Sequence, residues 1–321
     1  MPIRENATSE FQIAEGNLKM ETPGYTPRHN DLVYDVGMHM GEDSEFYLRK
    51  GFRVVAFEAN PDMVASCKER FKEFLDSGQL TIIEGAIVDP SLITGGQKTV
   101  QFYQNQDSSV WGTVSSEWAE RNARLGMSSK VTEVAAIDFA EVLREHGVPY
   151  FMKIDIEGCD WVCVNALHGF QERPAYISIE SDKTNLENIR REIDLFLQLG
   201  YTTFQAVEQQ QIAWTQSPPN PAREGKYVGL TFERGASGLF GLELENQWKS
   251  KSQILGQYRW IFLGYLLLGD DGIMEKWRFP GAPLIRRLTR RVLRMLTHAT
   301  VPGWYDTHAR HSSAEALKTA R

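Results

Sequence analysis

The stretch DVGMHMGEDSEFYLRKGFRVVAFEANP, residues 35–61, decides the fold of this 321-residue chain. An apolar run at 32–36 leads into a glycine-containing turn at 37–41, and a short helical segment separates that turn from a second apolar run at 52–57. This order predicts two neighbouring parallel strands with the turn and Glu58 at their carboxyl ends. Because ligands of open parallel sheets bind at those ends, we expect the turn and Glu58 to face one ligand.

The chain continues to alternate between strand-like and helix-like segments up to residue 235. Such alternation predicts an α/β fold with a doubly wound, mainly parallel, Rossmann-like sheet. After the first two, the predicted strands are 80–88, 150–156, 175–180, 201–207 and 227–232, with shorter polar strands at 99–103 and 130–136. The predicted organisation is an N-terminal lead-in at 1–30, the α/β domain at 31–235 and a helical, basic C-terminal extension at 236–321.

Charge and hydropathy exclude several classes of protein. The net charge of −7 argues against a general nucleic-acid-binding protein. No apolar run reaches about 18 residues, so no membrane-spanning helix is expected. The N-terminus lacks the pattern of a secretory signal, which indicates a cytoplasmic protein. The charge is uneven, however, because the residues from Ile273 onward contain 10 basic and 3 acidic side chains.

Residues 284–298 in this basic region predict an amphipathic helix. Its apolar face contains Leu284, Leu288, Val292 and Met295, and its basic face contains Arg286, Arg287, Arg290, Arg291 and Arg294. Two interpretations are open: the helix docks on the acidic body of the chain, or it makes peripheral contact with an anionic membrane. The oligomeric state does not follow from the sequence.

The glycine turn suits two kinds of nucleotide-like ligand. A dinucleotide requires the pattern G-x-G-x-x-G, in which the middle glycine lets the backbone approach the pyrophosphate. Here the turn begins Gly37-Met-His-Met-Gly41, so His39 occupies the position of the middle glycine. S-adenosylmethionine has no phosphate, and a looser turn is enough to bind it. The pattern favours S-adenosylmethionine, with a nicotinamide-dependent oxidoreductase as the alternative.

The chemistry of this methyl donor predicts a role for each polar group near the turn. Backbone N–H groups at Gly41–Ser44 would hold its carboxylate, Asp35 its ammonium group, and Glu58 its two ribose hydroxyls through charge-assisted hydrogen bonds. The adenine would lie near the EGAIVD segment. The full predicted cofactor set is Asp35, Gly37, Gly41, Asp43, Ser44, Glu58, Ala59, Gly85, Ala86, Ser108 and Asp155.

The opening stretch, together with YFMKIDIEGCDWVCVNAL at 150–167, resembles the FkbM-like family of S-adenosylmethionine-dependent class I methyltransferases. The segment Val36–Leu48 matches V-G-x-x-x-G-x-D-S-x-F-Y-L, Glu58–Pro61 matches Glu-x-x-Pro, and Lys153–Gly158 matches K-I-D-x-E-G. The resemblance covers roughly residues 31–235. It implies a seven-stranded methyltransferase sheet and methylation of a hydroxyl on a small molecule, such as a polyketide, or on a carbohydrate.

Lys153, Asp155 and Glu157 form a second group of polar side chains. They alternate with isoleucines along a predicted strand and its exit, so they share one side of the pleat near the turn. We expect Asp155 or Glu157 to act as general base for an acceptor hydroxyl, and Lys153 to keep Asp155 ionised. A Lys–carboxylate pair that only steadies the strand end is the structural alternative. His39 is an alternative base.

Other segments are weaker candidates for the site. Glu180, at the end of another predicted strand, is a candidate on the acceptor side, and the loop at 105–114 offers Asp107, Ser108 and Trp111 to the adenine or the acceptor. The glycine-rich segment 234–248 would cover the acceptor as a lid. No histidine or cysteine has metal-ligand spacing, so no metal is expected. A catalytically idle methyltransferase-like binding module remains a third hypothesis.

Overall fold

A computed structural model describes residues 25–93, 98–105, 112–113, 129–156, 158–182, 185–244, 247–269, 272–297 and 303–314. The strands are β1 (Arg28–Val36), β2 (Arg53–Glu58), β3 (Leu80–Glu84), β4 (Ala86–Ile87), β5 (Thr99–Asn105), β6 (Ser129–Ile137), β7 (Val148–Ile154), β8 (Tyr176–Glu180), β9 (Tyr201–Glu208) and β10 (Tyr305–His311). The α-helices are α1 (Glu42–Arg49), α2 (Pro61–Arg70), α3 (Lys72–Asp76), α4 (Pro90–Ile93), α5 (Phe139–His146), α6 (Asp160–Ala166), α7 (Leu186–Gln198), α8 (Ile212–Thr215), α9 (Lys251–Leu268) and α10 (Ala282–Thr297).

The main sheet has seven strands in the order β3-β2-β1-β7-β8-β10-β9. The pairs β3–β2, β2–β1, β1–β7 and β7–β8 are parallel, whereas β10 runs antiparallel to both β8 and β9. A smaller sheet has the order β4-β6-β5. The seven-stranded, mainly parallel sheet with flanking helices confirms the predicted fold class.

Helices cover both faces of the main sheet, as its nearly continuous apolar strands require. Every residue of β7 is buried. Along β1, Tyr34 and Val36 pack into one apolar cluster together with α5, α6, α7 and α9, whereas Val33 packs into a second cluster with α1. This alternation follows from the two-residue period of a strand, and it fixes which side chains can reach each face.

Strand register brings the predicted ligand-binding ends together. Val36, the last residue of β1, pairs with Phe57 on β2 and with Ile154 on β7. Glu58 pairs with Glu84 on β3. The glycine turn, Glu58 and the residues that follow Ile154 therefore leave the sheet at one common edge.

The predicted strand at 227–232 is wrong. These residues are described and form no strand, and the seventh strand of the sheet is β10, from residues assigned to the C-terminal extension. β9 and β10 are neighbours in the sheet although residues 209–304 separate them along the chain, and that long connection contains α8, α9 and α10. The segment after residue 236 thus includes a strand of the sheet as well as helices.

Three predicted boundaries also shift, each for a local reason. The sequence from Asp62 to Leu75, which follows Asn60-Pro61, predicts one helix, but that helix breaks at Phe71 into α2 and α3. The predicted strand 80–88 breaks at Gly85, where the backbone turns with φ 144° and the chain crosses from the main sheet to the smaller one. β7 ends at Ile154, so Asp155 lies just beyond the strand rather than on it.

Helix α9, which belongs to the long connection, is hydrogen-bonded to the sheet. Its Tyr258 hydroxyl lies 2.6 Å from Ser181 Oγ and 2.7 Å from Thr307 Oγ1, and those two hydroxyls are 2.7 Å apart. All three groups are buried, and each can donate to one neighbour and accept from another.

Among the helices that the structure describes, none is long and apolar enough to cross a bilayer.

Candidate active site

The glycine turn between β1 and α1 is built by close backbone packing. The N–H groups of Gly37 and Met38 both donate to the Phe57 carbonyl, at 3.1 and 2.9 Å. Gly37 has φ 88°, and a Cβ atom there would lie 2.0 Å from the carbonyl oxygen of Asp155. Gly41 has φ 82° and packs against the ring of Phe71. Both glycines are therefore required by geometry.

Glu58 holds the turn from the neighbouring strand. Its Oε2 accepts the His39 N–H at 2.8 Å, and its Oε1 accepts the Asn60 N–H at 2.8 Å. Burial raises the pKa of this carboxyl. Each oxygen keeps one further lone pair, so the carboxylate can still accept hydrogen bonds from a ligand in the cavity that it lines.

Lys153 is surrounded by carboxylates. Its Nζ lies 3.4 Å from Asp35 Oδ1, 3.3 Å from Asp43 Oδ2 and 3.8 Å from Asp155 Oδ2. It also donates to the Gly37 carbonyl at 3.1 Å. Burial opposes its charge, but attraction to these carboxylates raises its pKa well above the usual value, so the side chain is an ammonium ion.

The Lys153 pairing changes the interpretation of Asp35. Asp35 is fully buried, and its Oδ2 accepts the Ser44 hydroxyl at 2.6 Å while its Oδ1 faces Lys153. Asp35, Gly41 and Ser44 lie behind the cavity wall and do not line it. The ammonium group next to Asp35 is therefore that of Lys153. The sequence prediction had assigned this place to the ammonium group of the ligand.

Asp43 connects α1 to the predicted lid. Both of its carboxylate oxygens accept the Ser237 N–H, at 2.8 and 3.1 Å. Burial raises its pKa to about 6. Residues 234–237 line the cavity beside Asp43, so the beginning of the glycine-rich segment 234–248 does lie against the site.

The residues predicted near the adenine also reach the cavity. Ala59, Gly85 and Ala86 all line it. The Gly85 N–H donates to the Glu58 carbonyl at 3.0 Å, and a Cβ atom on Gly85 would lie 2.5 Å from the Ala135 carbonyl oxygen. The glycine therefore shapes the wall, and its amide is already used within the protein.

A group of carboxylates lines another part of the cavity. Asp155, Glu180 and Asp306 all contribute to this wall. Asp306 lies on β10 and pairs in register with Glu180, and burial together with the nearby Asp155 raises its pKa well above the usual value. The sequence prediction missed Asp306, because it placed the last strand elsewhere. The YDTHARH segment, 305–311, offered only a weak signal, since its strand residues are mostly polar.

His39 adopts φ 51° in the turn and also lines the cavity. Its Nδ1 lies 3.1 Å from Glu42 Oε1. This hydrogen bond raises the pKa of the imidazole despite partial burial. When His39 is protonated, it forms an ion pair with Glu42 on the cavity wall.

Four predicted side chains cannot be placed in the site. Asp107, Ser108, Trp111 and Glu157 lie outside the described residues. Their predicted roles stay predictions.

The walls described above enclose a single cavity of about 510 Å³. Gly37, Glu58 and Asp155 all line it, as the sequence predicts. Its described acidic lining residues are Glu42, Asp43, Glu58, Asp155, Glu180 and Asp306, and its basic ones are Lys153, Arg234 and the titratable His39. An excess of carboxylates favours a ligand that carries positive charge and opposes one that carries phosphates.

Comparison with protein families identifies a domain that covers much of the chain. The family described as "Methyltransferase FkbM domain" matches residues 35–203, which is more than half of the chain. The matched region begins at Asp35 before the glycine turn and ends within β9, so it contains both motifs. No curated protein matches the sequence.

Solved structures offer only distant similarity. An S-adenosylmethionine-dependent methyltransferase from Thiobacillus denitrificans, in complex with S-adenosylhomocysteine, is 11% identical, with 88% of this chain and 86% of that chain covered and a TM-score of 0.32. One from Geobacter sulfurreducens, with the same ligand, is 12% identical, with 88% and 84% covered and a TM-score of 0.30. A precorrin-6y C5,15-methyltransferase from Geobacter metallireducens is 12% identical, with 55% and 68% covered and a TM-score of 0.29.

Proposed function

The chain belongs to the methyltransferase FkbM family, and we propose that it uses S-adenosylmethionine to methylate a hydroxyl group of a small molecule or a carbohydrate. The observation that carries the proposal is the acidic cavity at the carboxyl edge of the sheet, which contains Glu58 and the group Asp155, Glu180 and Asp306. The donor brings a net positive charge, and a base such as one of these carboxylates helps to take the proton of a neutral hydroxyl acceptor.

The same cavity disfavours the oxidoreductase alternative. A dinucleotide carries two phosphates, and the six described carboxylates of the lining would repel them. His39, whose ring bonds Glu42, occupies the position where a dinucleotide turn needs its middle glycine for close approach. Charge and shape therefore agree in favouring the methyl donor.

The residues of the chain suit methyl transfer to oxygen. When bound, the donor supplies a methyl group that its sulfonium already activates for displacement. Glu58 lines the cavity and would accept hydrogen bonds from the ribose hydroxyls, and Glu42 and Asp43 of the first turn of α1 also line it, where the N-terminal end of a helix favours a carboxylate. The walls hold the reactants in line and exclude water. Asp155 and Asp306 are the candidate proton acceptors for the hydroxyl, with Glu157 and His39 as alternatives.

The location of the chain belongs to the same proposal. Cys67, Cys159 and Cys163 are free thiols. Reducing compartments keep cysteines in this form. We therefore propose the cytoplasm as the place where the chain acts.

Transfer of an isotopic label tests the proposed acceptor chemistry. The chain would be incubated with a small-molecule extract and with donor that carries a ¹³C-methyl group. Mass spectrometry would detect the labelled products, and NMR would identify the atom to which the labelled methyl carbon is bonded. We expect the label on oxygen. A label on carbon or nitrogen would contradict the hydroxyl proposal but would still support methyltransferase activity. Tight binding of S-adenosylhomocysteine without any labelled product would favour the idle binding module.

Glu58→Gln should weaken S-adenosylhomocysteine binding by about 10- to 100-fold, because hydrogen bonds to an ionised acceptor contribute roughly 1.5–3 kcal/mol and the substitution removes that charge. Isothermal titration calorimetry measures the change. Glu84→Gln is the matched control: Glu84 pairs with Glu58 in register, but it is exposed, bonds Lys68 and does not line the cavity. Equal affinity of the two variants would contradict the ribose role of Glu58.

A further inference from the structure

Helix α10 exposes most of its apolar side chains. The exposed fractions are 62% for Leu284, 53% for Leu288, 54% for Val292 and 70% for Met295. Ile285 and Leu296 are also exposed. At about 100° per residue, these six side chains occupy one arc of about 120° on the helix surface. The four residues that the sequence assigned to an apolar face thus form a continuous exposed surface, and they do not dock on the body of the chain.

The helix is attached to the protein by a different, narrow edge. Leu293 is buried in a small cluster with Leu268 of α9 and with Met274. On the same side, Arg286 and Arg290 both pair with Glu275, at 3.3 and 3.0 Å. These contacts hold α10 firmly, with its apolar arc still turned away from the protein.

Arginines border the other side of the apolar arc. Arg287, Arg291 and Arg294 are all exposed, and the segment Ala282–Thr297 contains no acidic residue. Arg287 and Arg291 form no ion pair with any residue that the structure describes. The exposed side of α10 therefore combines an apolar surface with unneutralised positive charge along its edge.

We propose that α10 is a docking surface for an anionic lipid bilayer. A bilayer offers both features that this face needs: an apolar interior for the leucines, and negative headgroups at the depth of the bordering arginines. A second copy of the chain fits less well, because a two-fold contact through α10 would bring its arginines against the same arginines of the partner.

Docking through α10 would bring the catalytic cavity to the membrane. Arg294 lies close enough to Glu208 to oppose the burial that raises the pKa of that carboxyl. Glu208 ends β9, and the next residue, Gln209, lines the cavity and donates its N–H to the Trp304 carbonyl at 2.9 Å. Arg294 near the C-terminal end of α10 is therefore within electrostatic range of a strand end that directly precedes a residue of the cavity lining. The membrane inference does not depend on which atom of the acceptor is methylated.

Vesicle flotation with the full chain tests the inference. Deleting α10 together with everything after it would also remove β10 from the sheet, so point substitutions are required. We expect the parent chain to float with phosphatidylcholine vesicles that contain phosphatidylglycerol, and not with pure phosphatidylcholine vesicles. Raised salt should weaken the binding, since the exposed charges are screened.

Two double variants separate the apolar and electrostatic contributions. Arg287→Gln with Arg291→Gln should lower the partition coefficient by about 30-fold, since each arginine near an anionic surface contributes roughly 1 kcal/mol. Leu288→Ser with Val292→Ser should lower it by at least about tenfold through lost apolar burial. The matched controls are Arg144→Gln with Arg190→Gln, and Leu92→Ser with Val131→Ser, which change exposed residues elsewhere and should bind like the parent.

Three results would overturn the inference. One is no flotation with anionic vesicles, and another is equal loss of binding in the α10 variants and their controls. The third is a concentration-dependent dimer, seen by sedimentation, that the Leu288→Ser with Val292→Ser variant abolishes, because it would assign the face to a second copy. Titration with S-adenosylhomocysteine should give the parent affinity in every variant, which separates failure of membrane binding from failure of the site.

Discussion

Replacing Lys153 by methionine should lower the free energy of unfolding by about 3–5 kcal/mol, the range for removing one partner of a buried ion pair. The ammonium group lies within 3.4 Å of both Asp35 and Asp43, and all three side chains are buried. Without it, two carboxylates would be left close together in a medium that solvates them poorly. Denaturant unfolding at neutral pH measures the loss. Lys72→Met is the control, because Lys72 is exposed and its ion pair is with the exposed Asp76.

The loss should also depend on pH in a defined direction. Burial already raises the pKa of Asp43 to about 6, and removing Lys153 should raise it further. A carboxyl whose pKa is higher in the folded than in the unfolded state contributes stability at low pH and loses it as pH rises through the folded pKa. The deficit of the Lys153→Met variant should therefore be larger at pH 8 than at pH 5. A deficit that is independent of pH would contradict the pairing.

A double variant identifies the partner. Adding Asp43→Asn to Lys153→Met should cost less than the two single substitutions together, because the amide no longer leaves a charge unpaired. Strict additivity would show that the ammonium does not stabilise Asp43.

Binding of S-adenosylhomocysteine should fall in Lys153→Met even where the chain remains folded, because the lysine also bonds the Gly37 carbonyl in the turn.

The sequence predicts best the parts of this site that local patterns determine. The turn at 37–41, Glu58 after β2 and the exit of β7 each follow an apolar strand directly, and the sheet brings them to one edge because parallel strands share a direction. The N-terminal cap of α5 is equally local: the Asp138 side chain accepts the Ala140 N–H at 2.8 Å. Nothing distant in the chain is needed for these features.

Strand β10 could not be predicted in the same way. It lies between β8 and β9 although residues 209–304 separate it from β9 along the chain, and no local pattern reports that pairing. Its buried residues include Asp306, His308 and Arg310, so the usual alternation of apolar and polar residues is absent. The apolar run at 227–232 was the stronger local signal for a strand, but these residues form no strand in the sheet. Asp306 was missed for this reason.

The role of Asp35 shows a second limit of sequence patterns. An acidic residue at the end of β1 suits a cationic ligand, but it suits a cationic side chain equally well. Parallel pairing places Lys153 directly opposite Asp35 in register, so the lysine reaches that carboxylate. Which cation is bound depends on the strand next to β1 in the sheet, and that neighbour lies more than a hundred residues further along the chain.

Gly37→Ala should abolish most cofactor affinity, with a fall of about 100-fold, the scale of effect expected when a site is displaced by about 1 Å. A Cβ atom at this position would lie 2.0 Å from the Asp155 carbonyl oxygen, which is backbone and cannot rotate away. Relieving the overlap must separate the turn from the end of β7, and those two segments carry His39 and Asp155 on the cavity wall. Calorimetric titration with S-adenosylhomocysteine measures the loss.

Gly78→Ala is the control that separates contact from backbone strain. Gly78 also has a positive φ, 72°, but a Cβ atom there would meet nothing within 4 Å. Both variants should lose about 1–2 kcal/mol of stability from the left-handed backbone conformation, whereas only Gly37→Ala should lose affinity. If the two variants bound the ligand equally well, the close approach of β1 and β7 would not shape the binding site, and the cavity would have to bind its ligand without the turn.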